Sequence, residues 1–319
     1  MPSSPYIEFG GTKGINTVDD PIDLSPLDQD RGDTDFWATK AVNVDITDKK
    51  RWKSRGGRTV LVAGTTFRSI NPAGDPCLFM DGSTLKQLRT DLATVVTIKA
   101  GLSPTAKMVY ETIPGTGKTF CSDKTTIGYV EREAWSDLPD VTDGYTKQHI
   151  IDYLRATRKK TPAGHLMAWY NGRLYVAVGN VIWYTDPKAY HRVKAMDGFI
   201  QMDGLITLLK ATADGLWVAD GKTWFLQGPD APKLQRIEKA PYNAKLGCAC
   251  PVPADKVPLD GAANPLFKWA SEQGICVGGP GGFFLNLTVK KYTMPAGATG
   301  TALYRSTPGM SQAIFTVRN

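Results

Sequence analysis

Five times along the chain an apolar strand runs into a Gly/Asp/Asn-rich turn and leaves as a second apolar strand. The segments are Cys77–Arg89, Thr119–Glu131, Gly172–Thr185, Gly215–Gln227 and Gly274–Leu287, with turns near residues 82, 124, 179, 221 and 280. Successive turns stand 42, 55, 42 and 59 residues apart. Short strands separated by turn formers read as antiparallel hairpins. A period of roughly 40–50 residues with several strands per unit is the footprint of a propeller or a related β array. One such unit buries a face only against its neighbour, and closing the array removes exposed sheet edges. The expected fold is therefore all-β, a propeller of about five to six blades of antiparallel strands.

The text between the hairpins fits that expectation. Val95–Ala100, Ala106–Ile113, His165–Tyr170, Gly204–Thr212 and Gln312–Arg318 are short, β-branched or aromatic, and bounded by Gly, Pro, Asn or Asp. Residues 1–57 differ: Gly10-Gly11, Asp19-Asp20-Pro21 and the acidic run over 28–35 leave few sustained apolar stretches. They read as an extended arm with one strand, Ala38–Thr47, where Val42, Val44 and Ile46 alternate with Ala41, Asn43 and Asp45. The propeller is expected over 58–319, opening on a strand at Arg58–Gly64. Tyr145–Lys160 carries Ile150, Ile151 and Leu154 at helical spacing with basic residues toward its C-terminal end, so one short helical insert is predicted there, stopped by Pro162. Five hairpins leave about one blade to be completed. Strands near 42–46, 59–63 and Ala313–Val317 are candidates to join the two chain ends.

Composition bounds the function. Hydrophobic residues make up 42% of the 319 and charged residues 22%, ordinary for a globular protein. No apolar run is long enough to span a bilayer. Met1–Gly11 has neither a basic n-region nor an apolar h-region, so no secretory signal is expected. The net charge of +7 permits contact with nucleic acid or an acidic partner without requiring it. Its local clusters are Lys49, Lys50, Arg51, Lys53 and Arg55, and Arg155, Arg158, Lys159 and Lys160. No nucleic-acid-binding signature accompanies either, and both are expected to face neighbouring subunits. Cys77, Cys121, Cys248, Cys250 and Cys276 are odd in number, and Cys248/Cys250 has no second pair or nearby His. Buried free thiols in a reducing compartment are the simpler reading, and no metal site is expected.

The motifs that could carry chemistry fall short. Pro114–Thr119 reads PGTGKT, close to a phosphate-binding P-loop, but Thr112 stands where that motif needs its first Gly and a hairpin follows instead of a helix. Gly-Lys-Thr recurs at Gly221-Lys222-Thr223 as a hairpin turn. His149, His165 and His191 are isolated, no G-x-S-x-G elbow is present, and Asp140 with Asp143 lacks a calcium-loop context. No catalytic residue, cofactor or metal is therefore expected, and the chain is not read as an enzyme. The aromatics Trp169, Tyr170, Tyr175, Trp183, Tyr184, Trp217, Trp224 and Phe225 crowd one stretch. They can stack sugars or bases, but their alternation within hairpins favours core between blades.

Several segments together resemble one family. Phe9-Gly10-Gly11, Gly14-Ile15-Asn16, Ala41–Ile46, Trp52–Arg55 and Gly56-Gly57 are similar to the opening of tail nozzle (tail tubular protein B-like) propeller proteins of short-tailed bacteriophages. Pro162-Ala163-Gly164, Asn171–Ala177 and Val181–Pro187 resemble the blade text of the same group, with Thr185 where Ser is more usual. The resemblance implies a virion structural protein assembled in the host cytoplasm into the tail. It also implies a self-assembled ring of six below an adaptor and portal, transient passage of double-stranded DNA, docked fibres or spikes, and no membrane anchor. Two other readings stand beside it: a monomeric carbohydrate- or receptor-binding propeller, and a propeller of a phage neck or baseplate. A glycosidase, which needs two carboxylates across a cleft, comes third.

Overall fold

The structure is a computed structural model that describes residues 12–15, 36–38, 44–46, 52–54, 66–71, 77–256, 263–288, 293–295, 297–307 and 310–318. Four short strands come first: β1 (Thr12–Ile15) pairs parallel with β2 (Phe36–Ala38), and β3 (Val44–Ile46) pairs antiparallel with β4 (Trp52–Ser54). Of the strand expected at Ala38–Thr47, Ala38 ends β2 and Val44–Ile46 form β3, and the strand expected at Arg58–Gly64 lies outside the described residues.

From there the protein is a five-bladed β-propeller. Blade 1 is β5 (Phe67–Arg68), β6 (Cys77–Asp81), β7 (Thr84–Leu88) and β8 (Val95–Lys99). Blade 2 is β9 (Val109–Ile113), β10 (Lys118–Ser122), β11 (Ile127–Glu131) and β12 (Ala134–Asp137). The helix α1 (Gln148–Thr157) and an added strand β13 (Arg158–Lys160) precede blade 3, which is β14 (Leu166–Tyr170), β15 (Arg173–Val178), β16 (Val181–Asp186) and β17 (Ala189–Lys194), with β18 (Phe199–Gln201) also on β16. Blade 4 is β19 (Leu208–Ala211), β20 (Gly215–Ala219), β21 (Thr223–Gln227) and β22 (Gln235–Ala240). Blade 5 is β23 (Ala244–Val252), β24 (Leu266–Ser271), β25 (Gly274–Gly278) and β26 (Phe284–Asn286), extended by the hairpin β27 (Thr299–Thr307) and β28 (Met310–Arg318).

Four of the five sequence hairpins join the second and third strands of a blade; the fifth is one strand out of phase. The equivalent turn of blade 5 is Glu272-Gln273 between β24 and β25, whereas the run near 280 turns β25 into β26. Gly278-Gly279-Pro280-Gly281-Gly282 is the stronger turn text, and it outweighs the less emphatic Glu272-Gln273. Correcting the phase makes the final spacing as regular as the others.

The helix is shorter than its basic tail suggested. Arg158–Lys160 leaves α1 and pairs antiparallel with β17, Arg158 opposite Lys194 and Lys160 opposite Arg192. Asp186 explains the switch: its Oδ2 accepts from Arg158 Nε at 2.8 Å and from Arg192 Nε at 3.1 Å, so one carboxylate ties β13 to the rest of the blade. Tertiary pairing here overrides a local helical pattern.

Packing between blades is where the aromatics go. Alternate side chains of each sheet face opposite neighbours. Tyr170, Tyr175 and Tyr184 lie in the core between blades 3 and 4, and Trp217, Phe225 and Trp269 fill that between blades 4 and 5. Trp217 is fully buried, 5.4 Å from Trp269 and 5.0 Å from Phe225 by ring centroid, and its indole N–H donates to the Gly279 carbonyl at 3.1 Å. The opposite face of blade 5, with Cys248, Cys250, Ala270 and Val277, is covered by Ala302, Tyr304, Ala313 and Phe315 of β27–β28. Of the strands proposed to complete the array, 313–317 thus adds to blade 5, through β27 lying parallel to β23 at Leu246 and Thr299. Among the described residues no helix is long and apolar enough to cross a membrane.

Candidate binding site at the propeller axis

The first strand of blades 1 to 4 has only one sheet neighbour, so its other edge presents unpaired backbone toward the centre, whereas β23 of blade 5 also pairs with β27. β9, β14, β19 and β23 adjoin one another in that order around the axis. Side chains on these edges must satisfy the open backbone or remain available to a ligand.

Glu111 does the first. From β9 its Oε1 accepts the Trp169 backbone N–H of β14 at 2.7 Å, bridging blades 2 and 3. Burial pushes its carboxyl up to about 7, while Lys210 and the Trp169 N–H pull the other way. Lys210 comes from β19, its Nζ 6.0 Å from the Phe267 ring centroid. Lys107, just ahead of β9, donates from Nζ to the Gly300 carbonyl of β27 at 3.0 Å. Burial lowers its pKa, and Lys210 lowers it further.

Beside this column a cavity of about 750 Å³ opens at one end of the strands, lined by Trp169, Tyr170, Asn171, Thr212, Asp214, Gln227 and Pro265 among others. Its walls are the turns after β14, β19 and β21. Most of its polar groups already have partners. Asp214 accepts from Gly281 N–H at 2.8 Å, Tyr170 Oη donates to Gly228 O at 2.5 Å, and Asn171 Nδ2 donates to Pro229 O. Gln227 makes no side-chain hydrogen bond among the described residues and is exposed. The site therefore pairs an aromatic wall with a few held polar groups, the composition of a ligand cleft.

The basic residues singled out from the sequence lie elsewhere. Lys49, Lys50, Arg51 and Arg55 are outside the described residues, and Lys53 sits in β4 opposite Asp45. Arg158 is turned inward onto Asp186, with 15% of its side chain exposed. Lys159 places Nζ 3.3 Å from the Trp183 ring centroid, and Arg155 and Lys160 are exposed. Arg158, Lys159 and Lys160 form β13, the outer edge of blade 3 on the far side of the sheet from the axis, and Arg155 lies in the α1 helix that leads into it.

The P-loop-like run is a turn. Gly115 and Gly117 adopt φ of +73° and +68°, left-handed conformations that let β9 reverse into β10. Lys118 then pairs with Glu131 at 3.6 Å and lies over the Tyr129 ring, while the buried Thr119 hydroxyl meets that of Thr112 at 3.0 Å. His165 is buried with Nε2 2.7 Å from the Ile206 carbonyl, and burial lowers its pKa. All five cysteines are free, and burial pushes Cys248 and Cys250 up to about 11. Among the described residues no three His, Cys, Asp or Glu side chains group as a metal site. Sequence reading missed the axial residues. Charged residues inside otherwise apolar runs, Lys107 and Glu111 in Ala106–Ile113 and Lys210 in Gly204–Thr212, were the available signal.

No protein family model and no curated protein matches the chain. Among solved structures it is similar to the WD40 domain of Neurospora crassa Pan2, at 12% identity and TM-score 0.41, covering 75% of this chain and 67% of that one. It is also similar to an auxiliary nutrient binding protein from Bacteroides thetaiotaomicron VPI-5482, at 9% identity and TM-score 0.42, covering 70% and 56%. A chain of a mitotic checkpoint complex matches at 10% identity and TM-score 0.41, covering 76% and 77%. At these scores the neighbours carry no functional argument, and the blade assignment rests on strand pairing.

Proposed function

We propose that this propeller is a structural component of a short-tailed phage tail, a nozzle or hub subunit that works through its surfaces. The observation that carries the reading is the nozzle-like text at Asn171–Ala177 and Val181–Pro187, which forms one mechanical unit. Arg173 donates to both Asp230 oxygens, at 2.6 and 3.0 Å, and to the Thr185 carbonyl at 2.6 Å, locking blade 3 to the β21–β22 loop of blade 4. The Thr185 hydroxyl accepts the Leu174 N–H at 3.0 Å, a task a Ser hydroxyl performs equally well, so the departure from the family's usual residue is conservative. Blades fastened in this way make a stiff body, as a conduit wall requires. In this reading copies of the chain form a ring, with six the number implied by the resemblance. An adaptor sits on the portal side, fibres or spikes dock on the flank, and DNA passes transiently. Arg155, Lys159 and Lys160, with the 58%-exposed Tyr153 of α1, offer the rim of blade 3 to a neighbour.

A second reading, a monomeric carbohydrate- or receptor-binding propeller, is favoured by the cavity beside Trp169. Light scattering on the size-separated protein discriminates the two. A ring of several subunits supports the nozzle reading. A monomer that binds on a glycan array, and loses binding in Trp169→Ala, replaces it with the second.

A further inference from the structure

We propose that the cavity beside Trp169 binds a small organic amine, its ammonium group on the Asp214 carboxylate and its carbon frame against the indole. The inference is independent of whether the protein assembles as a ring. Its basis is what lines the cavity. Asp214 is the one carboxylate in the lining, and no Lys, Arg or His of the described residues joins it there. The side chain is half-buried and held by neutral donors: its Oδ2 accepts the Gly281 N–H at 2.8 Å and its Oδ1 the Thr212 hydroxyl at 3.3 Å. It makes no ion pair among the described residues, so its charge is fixed in place and left without a counter-charge.

The charged groups of the surrounding blades are engaged elsewhere. Arg173 is spent on both Asp230 oxygens, at 2.6 and 3.0 Å. Lys210 and Lys239 lie 6.0 Å from the Phe267 and Phe225 ring centroids, and Lys233 is exposed; none of the three pairs with Asp214. Lys245 pairs with Glu272 at 3.4 Å, Lys268 stands opposite Cys250 of β23, and Lys107 donates to the Gly300 carbonyl. Glu111 is occupied by the Trp169 backbone N–H at 2.7 Å. The neutral lining is rich in acceptors and poor in donors. Tyr170 Oη and Asn171 Nδ2 donate to the Gly228 and Pro229 carbonyls, leaving Asn171 Oδ1 and a second lone pair on each carbonyl. The Thr212 hydroxyl has its proton on the Gly215 carbonyl at 3.1 Å or on Asp214. Trp169 is half-buried with its indole N–H 3.4 Å from Tyr190 Oη, so it adds ring carbon and no donor. Of the lining side chains only Gln227 keeps free donors. A matching ligand brings N–H donors, a positive charge and carbon surface: an ammonium bonds strongly to a carboxylate and is attracted to an indole face. A volume of about 750 Å³ suits a whole small molecule.

Such an ammonium is carried by an amino sugar or by a linear amine. Isothermal titration with glucosamine and with putrescine, at about pH 6 where both are charged, separates the two sources. Glucose and butanediol, their uncharged counterparts, are titrated alongside. Saturable one-to-one binding of at least one amine, about tenfold or more tighter than its counterpart, is the expected result. Asp214→Asn keeps an oxygen for the Gly281 N–H and should weaken that binding about tenfold or more. Asp197→Asn, at an exposed carboxylate paired with Lys194, leaves it unchanged. The comparison of each amine with its counterpart uses the unsubstituted protein and decides the matter should a variant misfold. Absence of saturable binding by both amines, a counterpart that binds as tightly as its amine, or equal binding by Asp214→Asn protein that is folded by circular dichroism overturns the proposal. Glucose binding as tightly as glucosamine removes the cation yet leaves the saccharide reading of this cavity in place, and the ring is read separately by light scattering.

Discussion

Replacing Glu111 by Gln should make the protein more stable at pH 8 and leave it unchanged near pH 4. The carboxyl is raised from 4.5 to about 7 in the folded protein, chiefly by burial at the axis. Between those values the folded state holds a proton that the unfolded chain has released, so stability falls as pH rises. Below about 4.5 both states are protonated and the group contributes nothing; above about 7 the whole cost of burying its charge is present. That cost is at most about 3 kcal/mol, reduced by whatever water shares the axis. Gln keeps an oxygen to accept the Trp169 N–H, so the contact between blades 2 and 3 survives while the charge is removed. Urea unfolding followed by tryptophan fluorescence, at half-unit steps from pH 4.5 to 8 in phosphate-free buffer, measures the difference. The wild-type curve should fall away from the Glu111→Gln curve progressively and then run parallel to it above about pH 7.5. Parallel curves over the whole range would refute a buried, charge-penalised carboxyl. Crossing in the opposite sense would mean that Lys107 and Lys210 stabilise the ionised form more than burial opposes it.

Other perturbations follow from the same contacts. Trp217→Ala empties the core between blades 4 and 5 and should cost about 3–5 kcal/mol in chemical denaturation; a loss under about 1 kcal/mol would mean that the blades repack freely. Asp186→Ala leaves Arg158 and Arg192, exposed by only 15% and 11%, without their shared carboxylate, and should cost about 3–5 kcal/mol. Proteolysis should then cut first around α1 and β13. Lys118→Ala, in the P-loop-like run, removes a half-exposed pair with Glu131 and an exposed contact with the Tyr129 ring, and should change stability by about 1 kcal/mol or less. ATP should not protect either form against thermal unfolding.

Much of this architecture was legible one strand at a time. Hairpin turns are local events, fixed by residues such as Gly82, Gly179 and Gly221, whose positive φ angles an L side chain resists. The sequence alone therefore determined an all-β repeat, four of five turn positions in phase, and aromatics destined for the faces between blades. It also carried the reading of the P-loop-like run as the turn of a hairpin, with Gly117 in the turn and Lys118-Thr119 opening β10. Tertiary structure decided whatever depended on partners distant in sequence. The turn at Glu272-Gln273 joins β24 to β25, and its place as the second-to-third-strand turn of blade 5 follows from β23 pairing as the first strand; Arg158–Lys160 became a strand because β17 and Asp186 pair with it. The axial site is the clearest case. Lys107, Glu111 and Lys210 are spread over about a hundred residues, each unremarked in its own strand. No periodicity brings them together; the adjoining first strands of separate blades do, β9 beside β14 and β14 beside β19.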